Sequence, residues 1–287
     1  MNRLATRSMS IMKDYENQHR FQPANHNGTS HCAPIDQLRW RTVAASVRGV
    51  SHEKTGQPCQ DANSWKVLPE GILVAAVADG AGSGMLSEIG ADIAVQTAVE
   101  TVCTASNILQ ILDDKSLRWL LMSAFKAARF EIEIEASVRQ IAVRELATTL
   151  ILIVATPQWI AVAQVGDGVA IAGDAEGNII PLTTPQFGEY INETIFLISP
   201  GALDQTQVHV WRGGTAYVAA LSDGLQMLAL NMQDNVPHAP FFKPLFRFME
   251  HVTDENSATE QLVKFLTSPR VREKTNDDLT LLVARLS

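Results

Sequence analysis

The chain has 287 residues, 46% of them apolar, and a formal net charge of −8. That length suits one large domain or two small ones, with enough apolar side chain for a sizeable core. The negative balance argues against nucleic acid as the main partner, because backbone binding needs clustered Lys and Arg, but bound cations could still recruit phosphorylated substrates.

Residues 1–38 are polar, rich in Asn, Gln and His, and lack periodicity. They read as a mobile tail, and the spacing of His19, His26 and His31 fits no zinc pattern. The start of the chain has no apolar core of a secretory signal, and no 18-residue apolar run occurs, so neither a signal peptide nor a membrane span is expected. Cys32, Cys59 and Cys103 are odd in number and far apart, which suits free thiols in a reducing cytoplasm.

The ordered domain is expected over residues 39–287. Trp40 to Val47 reads as a strand, followed by a loop through His52 and Cys59 to Gln60-Asp61, and a second strand from Asn63 to Leu68. After a turn at Pro69-Glu70-Gly71, the apolar run Ile72 to Ala78 reads as a fully buried strand that delivers Asp79 at its end. Gly80, Gly82 and Gly84 follow, allowing a sharp turn and close backbone approach. Ile89, Ile93, Val95, Val99 and Val102 recur at helical spacing. Ser116 is the expected cap of a second helix reaching about Glu145, with Leu117, Leu120, Leu121, Phe125, Ala128 and Ile132 on one side. Trp119 is expected to pack in the core, as are the phenylalanines 241, 242, 246 and 248.

Strands return at Thr149 to Ala155 and Trp159 to Val165, with tight turns at Gly166-Asp167-Gly168 and Gly173 to Asn178. Residues 183–211 read as a variable insertion. Thr215 to Leu221 is a further strand, ending in Ser222-Asp223-Gly224. A loop-rich stretch with Pro237, Pro240 and Pro244 leads to a helix at Ser257 to Leu266, and Asn276-Asp277-Asp278 precedes a last strand at Thr280 to Arg285.

One pattern recurs: a carboxylate in a tight turn beside an apolar strand, at Asp79, Asp167, Asp223 and Asp277-Asp278, with Asp61 a weaker fifth. A single Asp-Gly turn is more often a turn than a ligand. Several converging carboxylates, however, cannot all stay ionised without cations between them, and oxygen donors select hard ions such as Mg²⁺ or Mn²⁺. The glycines do not match GxGxxG and no Gly-Lys-Ser/Thr follows, so nucleotide binding is set aside. Cys59 lacks the glycine-rich, Arg-terminated loop that a cysteine phosphatase requires.

The pieces HEKTGQPCQDA, VADGAGSG, ATTLILIV, VGDGVAI, LSDGL and NDDLTLLVARL, in this order over roughly residues 40–286, resemble the metal-dependent protein phosphatases of the PP2C type, in particular their compact bacterial branch. The resemblance implies an α+β fold, a four-layer αββα sandwich of two antiparallel sheets flanked by helices, with two Mg²⁺ or Mn²⁺ ions at one end. It implies that Asp79 bridges the metals, that the Gly80 carbonyl binds the second, and that Asp223 and Asp277 bind the first. Asp167 matches the position linked to a third, weaker metal, and Asp61 the one that orders metal-bound water. Thr148-Thr149 matches a structural strand start, and residues 183–211 fall where the family carries its flap.

Three departures stand out. Gln60 replaces a frequent Glu, Ala81 stands where eukaryotic members have the His proposed as general acid, and Gly56 occupies the usual site of a phosphate-binding Arg. Arg48, His52 or Lys54 is expected to replace that contact, with His52 and Arg48 ranked ahead, and the leaving group's proton would come from metal-bound water or from His52. The resulting expectation is a cytoplasmic, monomeric phosphoserine/phosphothreonine phosphatase in which a metal-bridging hydroxide attacks phosphorus. Its partners would be a phosphorylated protein, a Ser/Thr kinase or that kinase's target, with no nucleic acid and no membrane. The alternative is a non-catalytic module of the same fold that binds a phosphoprotein or kinase.

Overall fold

The computed structural model describes residues 38–105, 108, 113–186 and 194–287. The tail expected over residues 1–38, with its three histidines and Cys32, lies outside the described residues except for Leu38, as do residues 187–193 of the expected flap.

One sheet orders β2 (Asp61–Leu68), β3 (Ile72–Asp79), β4 (Leu150–Ala155), β5 (Trp159–Val165) and β8 (Gln207–Arg212); every pairing is antiparallel. The second orders β1 (Trp40–Val47), β12 (Leu279–Leu286), β9 (Tyr217–Leu221), β6 (Val169–Gly173) and β7 (Ile179–Pro181), again antiparallel throughout. A small ribbon pairs β10 (Leu230–Asn231) with β11 (Val236–Pro237).

Strand alternation divides the burial. On β3, Ile72, Val74, Ala76 and Ala78 pack against α2 (Ser87–Thr104) and α3 (Asp114–Arg139). Leu73, Ala75 and Val77, equally buried, point the other way, and the sheets touch through β1 with β2 and β12 with β3. A strand covered on both faces has no polar alternation, which is why Ile72 to Ala78 reads as a continuous apolar run. The second sheet buries Val43, Leu281 and Val283 under α6 (Ala239–Glu250) and α7 (Glu255–Leu266). The layers are helix, sheet, sheet, helix, as the resemblance implied.

Several local expectations need correction. The loop after Arg48 contains α1 (Val50–Thr55), closed by Gly56 at φ 73°. Asp113, not Ser116, caps α3: its side chain accepts the Ser116 amide, because the cap stands outside the first turn. That helix stops at Arg139 rather than near Glu145, where Gln140 turns left-handed at φ 59°. The proline-rich stretch is helical as α6: Pro240 sits in the first turn, where no intrahelical N–H is needed, and Pro244 is tolerated inside. The C-terminal part of the expected insertion comprises α4 (Ala202–Gln205) and the edge strand β8. Phe242 and Phe246 are buried as expected, with Phe241 and Phe248 packed partly against them. Trp119 is not in the core; it lies 72% exposed on the outer face of α3. The remaining short helices are α5 (Gln226–Ala229) and α8 (Pro269–Arg272).

Candidate metal centre

Antiparallel register explains why the aspartates meet. Asp79 ends β3 directly opposite Asp61 at the start of β2. Leu150, at the start of β4, pairs with Val165, so the turn carrying Asp167 opens at the same end of that sheet. In the other sheet Leu221 pairs with both Leu281 and Val169, which puts Asp223, Asp277-Asp278 and the other side of the Asp167 turn together. Carboxylate oxygens of Asp79, Asp167 and Asp223 lie within 4.8 Å of one another.

The backbone around Asp79 is held from both sides. Thr149 donates its amide to the Asp79 carbonyl at 2.8 Å, and its hydroxyl accepts the Asp79 amide at 3.0 Å. The Thr148 hydroxyl donates to the same carbonyl at 2.9 Å. This bears out the structural reading of the threonine pair. Gly80 has no room for a side chain, since a Cβ would lie 2.7 Å from the Gln60 carbonyl and 2.8 Å from the Ser87 backbone. Gly224 is tighter still, with Asp278 O at 2.1 Å from such a Cβ. Glycine here lets the aspartate-bearing turns press against neighbouring strands.

The charge accounting is unbalanced. Asp61 is 7% exposed and Asp167 6%, and among the described residues none of Asp61, Asp79, Asp167, Asp223 or Asp277 is paired with a Lys or Arg. Burial pushes Asp61 up to about 8, opposed by the Ser222 hydroxyl and reinforced by the charges of Asp278 and Asp223. Asp79 is raised well above the ordinary range by burial and then by Asp61 and Asp223. Asp167 is raised to about 6 by burial and Asp223, against the Thr194 hydroxyl bond of 2.9 Å. Asp277 is raised too, by burial and Asp223. Asp61 Oδ1, Asp223 Oδ1 and Gln60 Oε1 are buried acceptors without a donor. An unsatisfied buried acceptor is costly, and a cluster of them is the condition that a hard divalent cation relieves. The donor set is all oxygen and fits Mg²⁺ or Mn²⁺.

Asp278 has a different task. It is 2% exposed and accepts the Gly49 amide at 2.6 Å, the Gln60 amide at 2.5 Å and His52 Nδ1 at 2.9 Å. One carboxylate thus ties the start of α1, the start of β2 and the Asp277 turn together. His52, only 8% exposed, is part of this brace. Arg48 is exposed, with a guanidinium nitrogen 3.3 Å from the Gln57 carbonyl. The structure therefore gathers the aspartates; His52 meets them through Asp278, whereas Arg48 bonds to the Gln57 carbonyl instead. Burial, with Asp61 and Asp278 alongside, drives the Cys59 thiol far up, the wrong direction for a nucleophile.

Ser222 and Thr194 escaped the sequence reading. Ser222 donates to Asp61 Oδ2 at 2.6 Å and accepts the Thr280 amide at 2.9 Å, coupling the two sheets at the acidic end. Its place directly before Asp223 was the available signal. Thr194 lies 27 residues from Asp167, beyond any local pattern.

Comparison with known proteins agrees with this geometry. Residues 48–267 match the family described as Protein phosphatase 2C. Serine/threonine-protein phosphatase 3 of Escherichia coli (strain K12) is 36% identical over 255 residues, covering 86% of this chain and 98% of that protein. Among solved structures, the catalytic domain of serine threonine protein phosphatase PstP in complex with 2 manganese ions superposes with a TM-score of 0.55 at 15% identity, covering 87% of this chain and 99% of that one. Serine/threonine phosphatase Stp1 from Staphylococcus aureus gives 0.56 at 13% identity, with 86% and 94% covered. These structural likenesses speak for the fold.

Proposed function

The chain belongs to the protein phosphatase 2C family, and from that premise we propose that it hydrolyses phosphoserine and phosphothreonine in proteins with two Mg²⁺ or Mn²⁺ ions. The observation that supports this most is the set of buried, unpaired carboxylate acceptors at the shared end of the two sheets. The 36% identical relative, named as a serine/threonine-protein phosphatase, supports the substrate class.

In this reading Asp79 would be shared by the two ions, the Gly80 carbonyl would bind the second, Asp223 and Asp277 would complete the first site, and Asp167 would serve a third, weaker one. Bound there, the ions would acidify a water molecule and neutralise charge on the phosphoryl oxygens. Asp61, strapped by Ser222, orients water beside Asp79. Asp278 and His52 keep the Asp277 turn and the start of β2 in register, so His52 acts through position more than as a proton donor. Arg48, exposed at the surface, is the candidate to meet the substrate phosphate. Gln60 supplies a neutral oxygen where many relatives carry a charge.

The test is hydrolysis of a phosphothreonine peptide by the purified chain with chelator, with Mg²⁺ and with Mn²⁺, beside Asp223→Asn. Turnover that needs metal and is lost in the variant is the expected result. A chain that binds metal and the phosphopeptide without turnover would instead be the non-catalytic module.

A further inference from the structure

Asp167 is held in two ways. Its turn is fixed through the backbone: Gln226 Nε2 donates to the Asp167 carbonyl at 2.6 Å, and Gln164 Nε2 to the carbonyls of Gly166 at 3.0 Å and Gly168 at 2.8 Å. Its carboxylate is aimed by Thr194, whose hydroxyl donates to Oδ2 at 2.9 Å. That hydroxyl stays on Asp167 only while the segment carrying it stays in place. Thr194 opens a short strap, residues 194–201, that leads into α4.

The strap is clamped from two sides. On the inner side the Leu197 amide donates to the Thr148 carbonyl at 2.8 Å, with Leu197 itself fully buried. On the outer side stands Arg129 of α3, whose Nη1 donates to the Leu197 carbonyl at 3.3 Å and to the Ser199 carbonyl at 3.0 Å. Its Nε donates to Glu133, one helical turn on, at 2.9 Å, and this second bond fixes the plane of the guanidinium. An Arg–Glu pair along a helix contributes little by itself. Here it aims charged donors at two strap carbonyls, and the Arg129 side chain, 25% exposed, is partly shielded from water. Leu197 is thus held at both its N–H and its C=O, three residues from Thr194.

We infer that Arg129 is a positioning residue for the metal centre: by pinning the Leu197 and Ser199 carbonyls to α3, it keeps the Thr194 hydroxyl on Asp167. This rests on the reading of Asp167 as a ligand of the weakest ion. Asp79 has its own two bonds to Thr149, outside the strap, so the ions it would share are affected less.

Calorimetric titration of chelator-treated protein with Mn²⁺, beside hydrogen exchange of the metal-free protein, tests it. Arg129→Met keeps the stem and removes the donors. The weakest Mn²⁺ site should then lose about tenfold in affinity, while the tighter sites stay within about twofold. The Leu197 amide should exchange faster. Arg129→Lys should recover part of the loss, since an ammonium can still reach a carbonyl but lacks the fork. Thr194→Val should match Arg129→Met, and combining them should add nothing, because both remove the same bond. An unchanged weakest site in Arg129→Met, or losses that add in the combined variant, overturns the inference. A wild type that binds no third ion would sink the reading of Asp167 instead, and exchange then decides. Faster exchange confined to the strap upholds the role of Arg129, and a Leu197 amide as slow as in the wild type overturns it.

Discussion

The middle and the acidic end of the same sheets obey opposite rules. Along β3, seven consecutive residues from Ile72 to Ala78 are buried apolar side chains, each filling space between a helix layer and the facing sheet. The eighth, Asp79, stands among Asp61, Asp167 and Asp223, whose charges oppose its ionisation. In the middle, a side chain removed is stability lost. At the end, a charge removed is repulsion relieved, and function lost. Stability and activity are therefore separable within one strand.

The largest separation should come from Asp79→Asn. Without a carboxylate to hold the ions, phosphopeptide hydrolysis is expected to fall at least about a thousandfold, the loss of several kcal/mol of charge stabilisation. The metal-free variant should melt no lower than metal-free wild type in a thermal denaturation scan. A drop of many degrees would break the contrast.

The converse is Leu152→Ala, in the fully buried middle of β4. The cavity should cost about 2–5 kcal/mol in urea denaturation, while the folded fraction keeps its turnover per molecule. Turnover lost in step with Asp79→Asn would erase the distinction.

Asp278→Asn probes the boundary between the two regimes, since this carboxylate is buried at the acidic end yet serves as an acceptor for three donors. Asn offers a single acceptor oxygen, so a loss of about 1–3 kcal/mol is expected, with a modest fall in turnover. Metal affinity and melting temperature, measured together, should both decline.

The smallest effect is on pH. Asp61 in the metal-free fold is raised to about 8 and Asp167 to about 6, both above their unfolded values. Between those unfolded values and the raised ones, the unfolded chain has released protons that the folded chain retains, so stability falls as pH rises through this window. The melting temperature of chelated protein should decline by several degrees from pH 5 to about pH 8, and saturating Mg²⁺ should flatten the slope. A chelated protein that grows more stable over that range would contradict the crowding of carboxylates.

This contrast also governs what could be read in the sequence. The strand ends were legible because an apolar run that stops at Asp-Gly is a local pattern, and the motif order carried the sheet architecture with it. What connects the ends was not. Ser222 bridges to Asp61 across 161 residues and Asp278 to Gln60 across 218, and no periodicity reports such contacts. Pro240 and Pro244 disguised α6, because helix propensity weighs Pro heavily while burial of Phe242, Phe246 and Met249 outweighs it. Its chemistry alone points Trp119 to the core, but the buried positions of α3, Leu117 and Leu120 to Leu121, already fill that face.

The most direct test of the central claim, that the acidic end is a site for paired divalent ions, is a calorimetric titration of chelator-treated protein with Mn²⁺, beside Asp79→Asn. The expected result is saturable binding of two ions in the wild type, accompanied by proton release, with both lost or severely weakened in the variant. Binding absent in both, or equal in both, would mean that the aspartates gathered by these two sheets do not hold metal.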